Sequence, residues 1–334
     1  MMEMRASNGM TSFGYNGDRL FGDKIFVMVN ILFVGIGGVG GYFGGLMARA
    51  FEKDPYVNIN FLTKQDHVAI IRDHGICVQT LSEGFTAMPA RVSDNTTDLG
   101  VMDYIILCVK NYDLREVLGV LAPCIGGHTV IVPLLNGVDH HKDISVFFPN
   151  TLVAEGCVNV IVRSISTGKI TCNSDFADLH FGVQGMQDIR LKKLDLLFKQ
   201  GGIYSKLTSN ISTSIWQKFM LISTVATATC FYNKNFGQIR MDPNCLEGFG
   251  ALVQEISCLA SRKGILLPKD NKDKIWKIFR KMPACSTSSM HTDFLSLRNK
   301  TELESLTGYI VREGDKFKLA LPTYSCMYSA LSIV

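Results

Sequence analysis

The stretch "NILFVGIGGVGGYFGGLMARAF" (residues 30–51) constrains the fold more than any other part of the chain. A β-branched and aromatic run gives way to glycines and then to small and apolar residues at helical spacing, which reads as strand, turn, helix. Gly35, Gly37 and Gly40 satisfy G-x-G-x-x-G at that junction. The first glycine permits a tight turn, the second lets a pyrophosphate approach the backbone, and the third lets helix and strand pack closely. The helix N-terminus then offers N–H groups to an anion, so Gly35, Ile36, Gly37, Gly38, Val39 and Gly40 form the expected cofactor-binding segment. Glycines that serve only packing give the same spacing; the strand-turn-helix setting favours the dinucleotide.

The same stretch is apolar enough to be weighed as a membrane segment. Asn30 interrupts it and seven glycines fall between Gly35 and Gly45, a poor composition for a lone spanning helix. Residues 1–27 are polar and patternless and read as a disordered extension, with Met28 the expected start.

Downstream, "VNINFLT", "DYIILCVK" and "HTVIVPLLNG" read as strands, and helical patterns such as "QDHVAIIRDHG" and "YDLREVLGVLAPCI" fall between them. That alternation marks a parallel, doubly wound sheet. Strand-like pieces continue to about residue 207, followed by segments of helical periodicity such as "LEGFGALVQEISCLASRKGI" and "TELESLTGYIVREGDKF". The 334 residues favour two domains. The fold expected is an α/β Rossmann-type doubly wound parallel sheet domain over residues 28–207, followed by an all-α helical domain over 208–334.

Composition removes several function classes. A formal charge of +4 with no stripe of Lys and Arg gives no reason to expect nucleic acid. Ten cysteines lie scattered without a C-x-x-C pair, and seven histidines show no H-x-x-x-H spacing, so no metal site is expected. Free thiols in a cytoplasmic protein are the simplest account of that cysteine usage.

The residue that selects the dinucleotide stands about 20 positions beyond the glycine loop, at the end of the second strand. Here that place holds Thr63 and Lys64, with no carboxylate until Asp66. A hydroxyl and a cation suit the 2′-phosphate, so NADP is the expected cofactor, although a strand-end lysine is also an ordinary solvated side chain. Lys110 and Asn136 end the third and fourth strands, where ligands of open α/β sheets collect. Finally, "SIWQKFMLISTVATAT" (residues 214–229) contains one charged side chain, Lys218. An unpaired ammonium taken from water costs several kcal/mol or gives up its proton, so its presence needs a reason.

The ordered set of glycine loop, V-K, L-N-G, W-x-K at the head of a helical half, and a distant T-E-L-E resembles the ketopantoate reductases (2-dehydropantoate 2-reductases) over residues 29–334. The resemblance implies reduction of 2-dehydropantoate to pantoate with NADPH, on the route to pantothenate and coenzyme A. It also implies an active site in the cleft between a Rossmann domain and a helical domain. It places Lys64 at the 2′-phosphate, Lys110 and Asn136 beside the cofactor, Lys218 as catalytic lysine and Glu302 as the glutamate of the T-E-L-E segment. Ser288 and Ser289 match a serine turn near the substrate carboxylate, and Asn235 lies close to a substrate-facing asparagine.

Hydride delivered to a ketone leaves negative charge on its oxygen, which a lysine can meet by donating a proton. Lys218 is the expected donor and substrate contact, with Glu302 facing it to orient it or to bind the substrate hydroxyl or the ribose. Otherwise, Lys218 snorkels to solvent and Glu302 completes a helix N-terminus after Thr301. The family pattern K-x-x-x-N-x-x-x-N becomes Lys218, Ile222 and Ala226, for which the hydroxyls of Ser223, Thr224 or Thr227 are the available substitutes. A small-molecule 2-oxo acid is the expected partner, with neither nucleic acid nor membrane, and a homodimer is compatible with the chain. Reduction of another 2-oxo acid, or an NADP-binding sensor or scaffold without a competent substrate site, are the alternatives.

Overall fold

The structure, a computed structural model, describes residues 28–174, 176–296 and 300–333; the extension expected over 1–27 lies outside them. Six parallel strands form the central sheet: β1 (Val29–Val34), β2 (Val57–Leu62), β3 (Arg91–Ser93), β4 (Tyr104–Leu107), β5 (Val130–Pro133) and β6 (Leu152–Val153). Their order is β3-β2-β1-β4-β5-β6, the doubly wound dinucleotide-binding order, which reverses direction between β1 and β4. Ligands bind beyond the carboxyl ends of strands at such a switch point.

Both faces of this sheet are covered, which is why its strands are continuously apolar instead of alternating. Val29, Ile31 and Phe33 pack with Phe43 and Met47 of the glycine-loop helix Gly38–Phe51. Leu32 and Val34 join Leu107, Leu118 and Ile144 on the opposite side.

Two smaller sheets complete this half. Strands Val162–Ser166, Lys169–Cys172, Ile76–Gln79 and Gly84–Ala87 form one, in that order. The other runs Tyr204–Leu207, Asp178–Gly182, Glu155–Asn159. Its two faces have different partners: Val158, Leu179 and Phe181 belong to the core of the sheet half, whereas Cys157 belongs to the core of the helical half.

The helical half is built on the 22-residue helix Ile211–Tyr232, against which helices Pro243–Arg262 and Pro322–Leu331 pack. Met220, Phe249, Ile256, Phe279, Ile310 and Tyr324 are among its fully buried side chains. Burying each such group contributes about 1.5–3 kcal/mol, enough to hold together a helix that also buries several hydroxyls. The rings of Trp216 and Phe219 meet edge-on at 5.5 Å, and Tyr309 closes the cluster at 5.6 Å from Phe219. That cluster fixes the rotation of the helix. Lys218 lies two residues, about 200°, around the axis from Trp216, and so projects away from this aromatic anchor.

The "TELESLTGYIVREGDKF" segment departs from one regular helix. It opens with a π-helical stretch, Glu304–Gly308, and continues as the α-helix Tyr309–Lys316. Inside that opening Thr307 Oγ1 lies 2.7 Å from Thr227 Oγ1 of the long helix, which ties the two segments together.

Candidate active site

The site begins with the glycine loop. Gly35 turns at φ 89°, a conformation other residues rarely adopt. A Cβ on Gly40 would lie 2.0 Å from the carbonyl oxygen of Gly35, so the loop and helix close on each other only with glycine there. At Gly37, by contrast, nothing lies within 4 Å of where a Cβ would stand. The helix starts at Gly38 with no side-chain cap and no acidic residue in its first turn. Open space over a close backbone, at a helix N-terminus without a negative neighbour, fits a dinucleotide pyrophosphate. Lys64 is exposed and precedes helix Gln65–His74, just past the end of β2.

Past β4 and β5 the chain delivers Lys110 and Asn136. Gly137 takes φ 113° immediately after Asn136, which makes the turn. The Asn136 carbonyl accepts from Asn111 Nδ2 at 2.9 Å and from His140 Nε2 at 3.1 Å. Burial lowers the His140 imidazole below its usual range against weaker opposing contacts, so it is neutral near pH 7 and carries its proton on Nε2. With its backbone fixed in this way, Asn136 has its side chain left for the site.

Four expected residues meet there. Lys218 Nζ donates to Asn136 Oδ1 at 2.9 Å, Asn136 Nδ2 lies 3.5 Å from Glu302 Oε2, and Lys110 Nζ donates to that same Glu302 oxygen at 2.8 Å. The orientation of the amide follows from chemistry: an ammonium only donates and a carboxylate only accepts. Glu302 is 2% exposed, so it does not decorate a helix start. Its partner is Lys110, not the facing Lys218 that sequence reasoning expected. The reason is geometric, because Asn136 stands between Lys218 and Glu302 and bridges them.

Electrostatics separates the two lysines. Burial lowers the Lys218 ammonium from its ordinary value, and Cys157, Glu302 and Asp178 oppose this without cancelling it. Burial also acts downward on Lys110, but Glu302 and Asp293 outweigh it and the net shift is upward. Lys110 is therefore a fixed cation, and Lys218 the lysine whose proton is the more readily given up. Asp293, whose Oδ2 lies 3.5 Å from Lys110 Nζ, carried no signal in the sequence.

Most other expected contacts have hydrogen-bond partners within the protein. Asn235 caps helix Phe236–Met241 in a capping box with Gln238, its Oδ1 accepting from Gln238 N at 2.8 Å. Ser288 caps helix Ser289–Leu295 through His291 N at 3.1 Å and lies 2.7 Å from Thr229 Oγ1, while Ser289 is exposed at the first helical position. The hydroxyls considered as substitutes are buried: Ser223 and Thr224 reach Tyr324 Oη at 3.2 and 3.4 Å, and Thr227 reaches Thr307. They satisfy one another inside the helical core. All ten cysteines are free, and no group of metal-binding side chains occurs among the described residues. No described helix is long and apolar enough to cross a membrane.

A doubly wound dinucleotide fold with a glycine loop, whose strand-end Asn136 meets a lysine from a helical half, fits an oxidoreductase that uses a nicotinamide cofactor. Comparison with known proteins gives the family. The description "Ketopantoate reductase PanE/ApbA" matches residues 31–184, and its C-terminal counterpart matches residues 210–334. The crystal structure of 2-dehydropantoate 2-reductase from Porphyromonas gingivalis W83 is similar at 32% identity and TM-score 0.80, covering 91% of this chain and 99% of that one. The chain belongs to the ketopantoate reductase family and is an enzyme of that type. It is also 25% identical to the uncharacterized oxidoreductase YkpB of Bacillus subtilis, over 91% of this chain and 98% of that protein. The ternary structure of D-mandelate dehydrogenase with NADH and anilino(oxo)acetate shares the fold at 20% identity and TM-score 0.80, covering 91% of this chain and 97% of that one.

Proposed function

We propose that the protein is an NADPH-dependent 2-dehydropantoate 2-reductase that forms pantoate on the route to pantothenate and coenzyme A. The observation that carries this reading is the continuous hydrogen-bonded line Lys218–Asn136–Glu302–Lys110, which joins side chains of the two halves. When bound, the reduced nicotinamide supplies the hydride. Lys218 meets the negative charge that gathers on the ketone oxygen and donates the proton that completes the alcohol. Its lowered proton affinity makes it the better acid, and Asn136 holds its Nζ in place. Glu302 receives the substrate hydroxyl or the ribose, and Lys110 keeps its carboxylate charge compensated. Lys64, with no acid beside it before Asp66, favours the 2′-phosphate of NADPH. The free cysteines suit a reducing, cytoplasmic setting.

A second reading keeps the fold, cofactor and Lys218 but changes the substrate. Ile222 and Ala226 succeed Lys218 at one-turn intervals on the same side of the helix, and the neighbouring hydroxyls are already hydrogen-bonded elsewhere. That face suits a 2-oxo acid with an apolar side chain. Steady-state assays with NADPH against 2-dehydropantoate and a panel of 2-oxo acids separate the two. The first reading expects 2-dehydropantoate to have the highest kcat/KM, and a panel member exceeding it establishes the second.

A further inference from the structure

A second group of ionisable side chains lies against the first turns of the long helix. In the small sheet, Asp178 stands opposite Asn159 and His180 opposite Cys157 in antiparallel register. Residues opposite one another share a face, and alternate residues along a strand do too. Leu179, Phe181 and Val158 face the sheet core, so Asp178, His180 and Cys157 take the other face, toward the helical half. There His180 Nδ1 lies 3.1 Å from Ser214 Oγ, one helical turn before Lys218, and His180 Nε2 lies 3.2 Å from Asp178 Oδ2. A neutral imidazole satisfies both contacts as the Nε2–H tautomer, donating to Asp178 and accepting from Ser214.

Asp178 is 9% exposed, and its other oxygen, Oδ1, is buried with no hydrogen-bond partner among the described residues. A buried carboxylate oxygen in that position is costly unless a cation compensates it. Lys218 follows Ser214 by one helical turn, and Cys157, Glu302 and then Asp178 act against the lowering of its ammonium by burial. Burial pushes the Cys157 thiol up to about 11, so it is uncharged at neutral pH. The charge of Glu302 is taken up by Lys110 at 2.8 Å. Burial draws the His180 imidazole below its usual range against the opposing pull of Asp178, with Lys206 of the neighbouring strand adding to the lowering, so His180 is neutral as well. Of these three groups, Cys157 is a thiol and Glu302 is paired with Lys110, which leaves Asp178 with its unpaired Oδ1.

We propose that Asp178, oriented by His180 and Ser214, is a positioning residue that holds the Lys218 ammonium in its charged, donating form. This rests on Lys218 being the proton donor of the reaction. Nothing about the substrate's identity enters it.

The test is the pH dependence of NADPH oxidation with the best 2-oxo acid substrate. A donor must be protonated, so the reduction rate falls as pH rises through the Lys218 pKa. In Asp178→Asn that alkaline limb is expected about one pH unit or more lower, while Asp178→Glu stays near wild type and NADPH binding is unchanged in both. An unmoved limb in a folded Asp178→Asn overturns the proposal. The reciprocal measurement leaves Asp178 intact: in Lys218→Met, NMR titration of the His180 imidazole is expected at higher pH than in the wild type, because Asp178 is left with His180 alone. An unchanged His180 titration overturns the proposal even if neither Asp178 variant folds. Full turnover by Lys218→Ala is a separate outcome, which removes the donor reading itself.

Discussion

Asn136 shows how much chemistry one amide can organise. Its side-chain Oδ1 accepts from Lys218 and its Nδ2 faces Glu302, so two ionic groups that do not touch share one rigid bridge. In the sequence Asn136 was legible as a polar strand end, and Lys110, Lys218 and Glu302 as isolated charges in ordered motifs; the pairing of Glu302 with Lys110 was not, because it depends on a distance across the two halves. The capping contacts of Asn235 and Ser288 were illegible for another reason. Asn and Ser are the residues that cap helices as well as those that hold substrates, and local sequence does not separate the two uses. Lys64 gives the residue-scale prediction. It is exposed and outside the Lys218–Asn136–Glu302–Lys110 line, so Lys64→Ala should raise KM for NADPH about tenfold and leave kcat near wild type, the loss expected from one solvent-screened charged contact. Steady-state titration of NADPH checks this, and an unchanged KM takes Lys64 out of the cofactor site.

Among elements, the glycine loop separates stability from binding within one turn of helix. Gly40→Ala places a methyl 2.0 Å from the Gly35 carbonyl oxygen, so the helix must shift and the melting temperature should drop by several degrees. Gly37→Ala meets nothing within 4 Å, so it should melt with the wild type yet bind NADPH at least about tenfold more weakly, because the methyl occupies the space assigned to the pyrophosphate. Thermal melts paired with cofactor titration decide it, and Gly37→Ala binding at wild-type strength would place the pyrophosphate elsewhere. The β1-turn-helix unit was readable because periodicity and glycine spacing are local. Strands Ile76–Gln79 and Gly84–Ala87 were not, since they are short and partly polar and owe their sheet to Lys169–Cys172, almost a hundred residues away along the chain. The π-helical opening of Glu304–Gly308 was equally hidden, because a contact with Thr227 accompanies it and no local pattern marks it.

At the scale of the molecule, the sheet half and the helical half meet at a seam lined by polar side chains from both. The sheet half contributes Lys110 and Asn136; the helical half contributes Lys218 and Glu302. In the proposed function, the Lys218 ammonium protonates the oxygen of a ketone reduced at the cofactor held by the sheet half. Single-turnover loss of NADPH absorbance on mixing with 2-dehydropantoate, in wild type and Lys218→Ala, tests it most directly when NADPH affinity is measured on the same samples. A rate about 10² to 10⁴ lower in the variant, with NADPH affinity unchanged, is the predicted result. A Lys218→Ala enzyme that oxidises NADPH at the wild-type rate would contradict it.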